Sequence, residues 1–232
     1  MNEQVAYLIG AMRDGSFSTI PDRGIYRIRL YQKNKDWLNA LAVIIEDNFN
    51  KKPSFYFDKR HAVWCLSITS KKVFQELSSL AEFTGDQTTW LTPRWIYFGS
   101  SAVKSAYVRG FFDSEGSINS FEKMGLVPES EIRVYLAQAN AGVLQEIRKI
   151  ISDFGIRCGR VCGPYVKRGS STKMYALIIH GSTEVLKFYS CFDSCHSDKI
   201  LRFELLKAAK GGDIDSSVAS PRSVLLAEGK TP

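Results

Sequence analysis

Hydrophobic and polar positions along this chain run through one pattern twice. An apolar stretch, Tyr7-Leu8-Ile9-Gly10-Ala11-Met12, stops at Arg13-Asp14-Gly15. A second, Tyr107-Val108-Arg109-Gly110-Phe111-Phe112, stops at Asp113-Ser114-Glu115-Gly116. Each predicts a helix, over about 3–13 and about 102–113, closed by glycine, which weakens a helix. The period then falls to two. Residues 16–20 read as a strand, and Pro21-Asp22-Arg23-Gly24 has turn chemistry. Ile25 to Tyr31 reads as a second strand, with Ile28 and Leu30 on one face and Arg27, Arg29 and Tyr31 on the other. Trp37, Leu38, Leu41, Ile44 and Ile45 form a helical stripe over 36–49, capped by Asn34 or Asp36. Short strands near 55–57 and 63–68 flank the basic turn Asp58-Lys59-Arg60-His61, and a helix over 71–83 closes the round. Residues 84–101, with Gly85, Pro93 and Gly99 and no clear period, read as a connector.

The second round repeats this order. A strand over 116–121 and a loop containing Gly125 and Pro128 lead to a strand over 131–138. In that strand Ile132, Val134 and Leu136 face one way, Arg133 and Tyr135 the other. A helix over 141–154 buries Val143, Leu144, Ile147, Ile150 and Ile151 and ends at Gly155. Strands near 158–166 and 173–180 flank the basic tip Lys167-Arg168-Gly169-Ser170, and helices over 182–191 and 197–210 follow. The predicted class is α+β: two pseudo-symmetric αββαββα halves, 1–100 with the connector and 101–210, then a flexible tail over 211–232. Helices cover the apolar sheet faces. The opposite faces would join into a saddle carrying Arg27, Arg29, Tyr31, Arg133, Tyr135 and Arg160.

Composition adds a partner. In 232 residues, hydrophobic residues at 44% suffice for a core, and a net charge of +7 dispersed among aromatics fits a polyanion such as nucleic acid. No apolar run is long enough to cross a bilayer, and the first residues lack the layout of a secretory signal. Five cysteines, an odd number, read as thiols of a reducing compartment. Cys158 and Cys162, four apart in a strand, would stand roughly 13 Å apart. That is too far to share zinc without a turn, so buried free thiols are expected. These signs predict an intracellular protein, in a microbial cytoplasm or an organelle, with no membrane partner.

The candidate chemistry lies at the helix ends. Alone, Asp14 or Glu115 reads as a solvated helix-end residue; in repeated context the pair reads otherwise. If the two helices pack about a pseudo-twofold, both acids meet at the saddle's centre. There the helix dipoles and their mutual repulsion disfavour the charges. A divalent cation would relieve that repulsion, and oxygen ligands suit Mg²⁺. Such ions support phosphodiester hydrolysis, one scissile phosphate per strand. Small residues at Gly10, Ala11, Gly110 and Ser114 would allow the close approach.

The two runs resemble the paired motifs of the LAGLIDADG homing endonucleases, in their single-chain form. In the second, Gly110 stands at the motif's first glycine, Asp113 at its first aspartate, Glu115 at the catalytic acid and Gly116 last. Aligned on Asp14-Gly15, the first run has Ile9 at that glycine, with Gly10 beside it, and Met12 at the first aspartate. The resemblance spans about 3–210. It implies a metal-dependent endonuclease that binds a long, poorly symmetric duplex and cuts across the minor groove to leave short 3′ overhangs. The family also places a glutamine and a lysine at the end of each half's second strand. Gln32-Lys33 matches, whereas the second half has Gln138 followed by Ala139, and Lys199 is the candidate for the missing cation. The plain reading of these is a solvent-exposed polar residue. For DNA contact the candidates are Ser18, Arg27, Arg29, Tyr31, Asn119, Arg133, Tyr135 and Arg160.

Two other readings keep the scaffold: an RNA maturase assisting intron splicing, with intron RNA as partner, or a DNA-binding protein that does not cut. Retention of both acids favours cutting. Self-splicing is not expected of a chain that begins with Met and ends Lys-Thr-Pro, and the residues after Gly211 are too few for an added helix-turn-helix domain. A protein-interaction module would leave the basic strand faces unexplained. The internal repeat supplies the twofold, so a monomer is expected.

Overall fold

The computed structural model describes residues 2–83, 87–119, 131–166, 169 and 171–210. The first half runs α1 (Glu3–Ala11), a 3₁₀ turn (Met12–Asp14), β1 (Gly15–Ile20), β2 (Ile25–Gln32), α2 (Lys35–Phe49), β3 (Ser54–Asp58), β4 (Val63–Thr69) and α3 (Lys71–Ala81). A short α4 (Arg94–Tyr97) precedes the second half, which runs α5 (Ser101–Glu115), β5 (Gly116–Ile118), β6 (Arg133–Gln138), α6 (Ala141–Asp153), β7 (Cys162–Val166), β8 (Lys173–His180), α7 (Ser182–Phe192) and α8 (Ser197–Ala209). Most long helices start on a polar cap. Asn2, Asn34, Ser70, Ser100 and Asn140 each accept a backbone N–H from the first turn of the helix they precede. Asn34 is thus the cap of α2, and Asp36 lies inside its first turn.

Each half folds one antiparallel sheet, ordered β1-β2-β4-β3 and β5-β6-β8-β7. Cross-strand pairs alternate by face. Ile28 opposes Ile68 and Leu30 opposes Leu66 on the core side; Val134 opposes Ile179 and Leu136 opposes Leu177 in the second sheet. All eight are buried under the helices, with the stripes of α2 and α6. Period two therefore leaves Arg27, Arg29, Tyr31, Arg133 and Tyr135 on the outer faces, as the alternation predicts. No helix among the described residues is long and apolar enough to cross a membrane.

The halves meet along α1 and α5. A Cβ at Gly10 would lie 2.2 Å from the Tyr107 carbonyl oxygen, and one at Gly110 would lie 2.0 Å from that of Tyr7. Only glycine lets the two backbones approach so closely. This reciprocity makes Gly10 the partner of Gly110, so the alignment that put Ile9 there is corrected. The first motif is one residue short: Asp14 follows its glycine by four positions, Glu115 by five. The 3₁₀ turn makes up the length, since one α step and three 3₁₀ steps rise about 7.5 Å, as do five α steps. Tighter winding delivers the acid to the same level.

Other differences are local. α5 continues past Asp113 to Glu115, and the connector contains a 3₁₀ turn (Gln87–Thr89) and α4. Arg160 is exposed but precedes β7, which begins only at Cys162, so it is not a strand-face residue. Of the five free cysteines only Cys65 is buried; Cys158, Cys191 and Cys195 are half-buried and Cys162 is exposed, correcting the expectation of buried thiols. Thr84 to Asp86, the loop of Gly125 and Pro128, Lys167, Arg168, Ser170 and the tail after Lys210 lie outside the described residues.

Candidate active site and nucleic-acid surface

Asp14 ends the 3₁₀ turn and Glu115 ends α5, each just before a strand-opening glycine. Each carboxylate accepts one amide hydrogen bond from the last residue of its half's second strand. Gln32 Nε2 donates to Asp14 Oδ2 at 2.9 Å, and Gln138 Nε2 donates to Glu115 Oε1 at 3.0 Å. The two glutamines thus stand in equivalent places, as the sequence suggested. Burial pushes the Glu115 carboxyl up to about 8, and the Asp14 charge adds to it. Burial also raises Asp14, to about 6, although Gln32 and Lys199 draw it back.

Lys199 is not the solvent-exposed residue that the plain reading allowed. It lies in the first turn of α8, buried, with Nζ donating to the carbonyls of Phe112 and Asp113 at the end of α5. Burial lowers it to about 8, against the pull of Asp113, Glu115 and Asp14. Lys33 is exposed, and the cation acting on Asp14 is Lys199.

Behind the acids lies a pairing that the sequence concealed. Asp113 is fully buried and accepts from Tyr7 Oη at 2.7 Å, from Ser194 Oγ at 2.5 Å and from the Cys195 backbone N–H at 2.8 Å. Trp37 Nε1 donates to the same Tyr7 oxygen at 2.7 Å. At the equivalent place in the first half stands Arg13, 0% exposed. Its Nη2 donates to Tyr107 Oη at 3.0 Å, and its guanidinium donates to the carbonyls of Trp90 and Leu91. Each half thus anchors a following segment through a buried charge beside the other half's tyrosine, with the polarity inverted. The carboxylate takes donors; the guanidinium takes carbonyls. The available signal was a charge ending an apolar run, beside a tyrosine repeated in both runs.

Arg27, Arg29 and Tyr31 are half-buried on the outer face of β2, and Arg29 Nε has no hydrogen-bond partner among the described residues. Tyr31 Oη lies 3.4 Å from Tyr56 Oη on β3. Ser18 is exposed, its hydroxyl 3.5 Å from the Arg27 carbonyl. Arg133 is exposed and donates to Asn119 Oδ1 at 3.3 Å, while Asn119 Nδ2 binds the Glu131 carbonyl. Tyr135 is half-buried on the same face.

The donor set fits a divalent cation. Two carboxylates, each with one glutamine on one oxygen, press charges together in a partly dry site, which a hard cation relieves. Among the described residues no cluster of three His, Cys, Asp or Glu forms, so water and phosphate oxygens would complete the shell.

Residues 102–191 match the family profile described as LAGLIDADG-like domain. The chain is 26% identical over 155 residues to the homing endonuclease I-ApeI of Aeropyrum pernix, covering 65% of this chain and 66% of that relative's length. In fold it resembles the homing endonuclease I-DmoI in complex with DNA and Mn, with TM-score 0.60 and 18% identity over 84% of this chain and 98% of that one. It also resembles full-length DUF199/WhiA from Thermatoga maritima, with TM-score 0.58 and 14% identity over 93% of this chain and 63% of that one. Residues 102–191 therefore carry a LAGLIDADG-like domain, and the two sheets with the paired glycine helices give the chain the fold of I-DmoI.

Proposed function

We propose that the protein is a Mg²⁺-dependent endonuclease that acts as a monomer on a long, asymmetric DNA duplex, cutting both strands to leave short 3′ overhangs. The observation that carries this reading is the convergence of Asp14 and Glu115, each held by a strand glutamine, at the junction of two basic sheet faces. Both acids would supply metal oxygen ligands. A divalent cation held by both carboxylates would supply charge to the scissile phosphates and would acidify the attacking water. Gln32 and Gln138 orient the carboxylates. Lys199, drawn down to about 8, offers positive charge beside them and, near neutral pH, a mobile proton at Nζ. Arg13 and Asp113 act through others: they fix the segments at Trp90 and Ser194 on which the site rests. Strand faces fit the major groove of B-form DNA, whereas that of A-form RNA is too deep and narrow for them, which favours DNA over intron RNA.

The test is selection from a pool of randomised duplexes with Mg²⁺, beside Glu115→Gln. A long cut motif with 3′ overhangs, lost in the variant, is the expected result. If both proteins enrich the same bound sequences without cutting, the saddle is a reader and the enzyme reading fails.

A further inference from the structure

The outer faces of the two sheets follow one register but differ in chemistry. Gln32 and Gln138 mark equivalent points, facing Trp64 and Tyr175 across their sheets. One step outward from each glutamine, the first sheet presents Tyr31 opposite Cys65; the second presents Ala137 opposite Ala176. At the next outer-face pair, Arg29 with Ser67 gives way to Tyr135 with Ile178. Only the outermost pair is polar in both, Arg27 with Thr69 and Arg133 with His180. The flanking strands differ only on one side. Ser16 and Ser18 on edge strand β1 oppose Arg29 and Arg27, and Ser117 on edge strand β5 opposes Tyr135, whereas Met174 follows Ala176 along its face on β8, opposite Tyr165 of edge strand β7.

The second sheet therefore has a central outer patch of methyl, thioether and ring surface. The main core lies on the opposite face with Leu136 and Leu177; on the outer face Ala176 is buried, whereas Ala137, Ile178, Tyr135 and Met174 remain half-buried. The methyl groups of Ala137 and Ile178 neither donate nor accept, so they penalise any base pair whose polar edge they dry; within the patch Tyr135 brings a hydroxyl beside its ring. On the major-groove edge the apolar group is the 5-methyl of thymine. Arginine and serine in the first sheet suit hydrogen-bonded readout instead, with guanine as the natural partner of Arg29. Arg133 and His180 beyond the patch keep the second face continuous with the basic saddle.

We propose that the two halves read their half-sites by different chemistry: the first sheet by hydrogen bonds to base edges, the second by apolar contact of Ala137, Ile178 and the ring of Tyr135 with thymine methyl groups. This rests on the duplex-DNA reading above. The test starts from the duplex recovered by selection, bound by the full chain, with thymine replaced by deoxyuracil in one half-site at a time. Arg29→Ala, which relaxes preference only under the first sheet, assigns the orientation. Affinity falls roughly fourfold per buried methyl removed from the half-site under the second sheet. It holds in the other, and Ile178→Asn flattens the thymine preference under the second sheet alone. Equal responses in both half-sites, no response, or a second half-site without thymine would overturn the inference while tight binding of the unmodified duplex leaves the nuclease reading standing. No duplex binding at all overturns both.

Discussion

Replacing Glu115 by glutamine tests the electrostatics of the site without a substrate. The amide keeps the oxygen that Gln138 Nε2 reaches at 3.0 Å and removes only the ionisable proton. Folded, Glu115 holds its proton up to about 8; unfolded, it releases it near 4.5. Between those values the folded chain binds more protons, so without divalent ions wild-type stability falls as pH rises through the window. That displacement corresponds to about 5 kcal/mol. Water reaching the partly open side chain screens it to about 2–3 kcal/mol. In a chain of this size, Tm for Glu115→Gln should match wild type near pH 4.5 and exceed it by about 4–10 °C at pH 8.5. Asp14 shifts in the same direction, from 3.8 to about 6, and is common to both proteins. Lys199 shifts the opposite way, gaining stability only above about 8, and in the variant it also loses the pull of the Glu115 charge. Thermal melts in chelator at half-unit steps of pH measure the difference. Parallel curves from pH 4.5 to 8.5, or a variant less stable at high pH, would refute the picture of two carboxylates held in repulsion.

Three further outcomes follow from the same contacts. Arg13→Asp gives the first motif the residue that the second carries at Asp113 yet should lower Tm by about 10 °C or more, because the Trp90 and Leu91 carbonyls would face a carboxylate; a melt at or above wild type refutes the inverted pairing. Lys199→Met should cut cleavage at least about tenfold while duplex affinity stays within a few fold. The variant should also move the pH at which Mg²⁺ binds upward, since Lys199 holds both carboxyls down; titration calorimetry against pH reads this out. Arg29→Ala should cost about 1–3 kcal/mol of duplex affinity and relax base preference at one position under the first sheet, checked by fluorescence anisotropy against single-base variants of the selected duplex.

Much of the architecture was written in local pattern. Period two along Ile25 to Tyr31 and along Ile132 to Leu136 assigns the faces of β2 and β6, because a pleated strand has no other way to bury one side. The stripes of α2 and α6, the caps at Asn34 and Asn140 and the repeat itself depend on near neighbours in sequence and were legible for that reason. So were both acids and their glutamines, since each stands at the end of a recognisable element.

What tertiary structure alone decided depends on groups distant in the chain. Gly10 proved the partner of Gly110 only through its contact with the Tyr107 carbonyl across the helix crossing; spacing from the acid pointed to Ile9. The 3₁₀ turn that absorbs the missing residue is a matter of winding, which composition does not announce. Lys199 was a candidate by resemblance, but its burial became visible only where α8 packs its ammonium against the end of α5. Arg13 carries no mark of its backbone partners, because the carbonyls of Trp90 and Leu91 look like every other carbonyl in a sequence. Local order is set by side-chain period and caps. The site is set by which buried polar groups find each other, and that is decided only when two distant halves close.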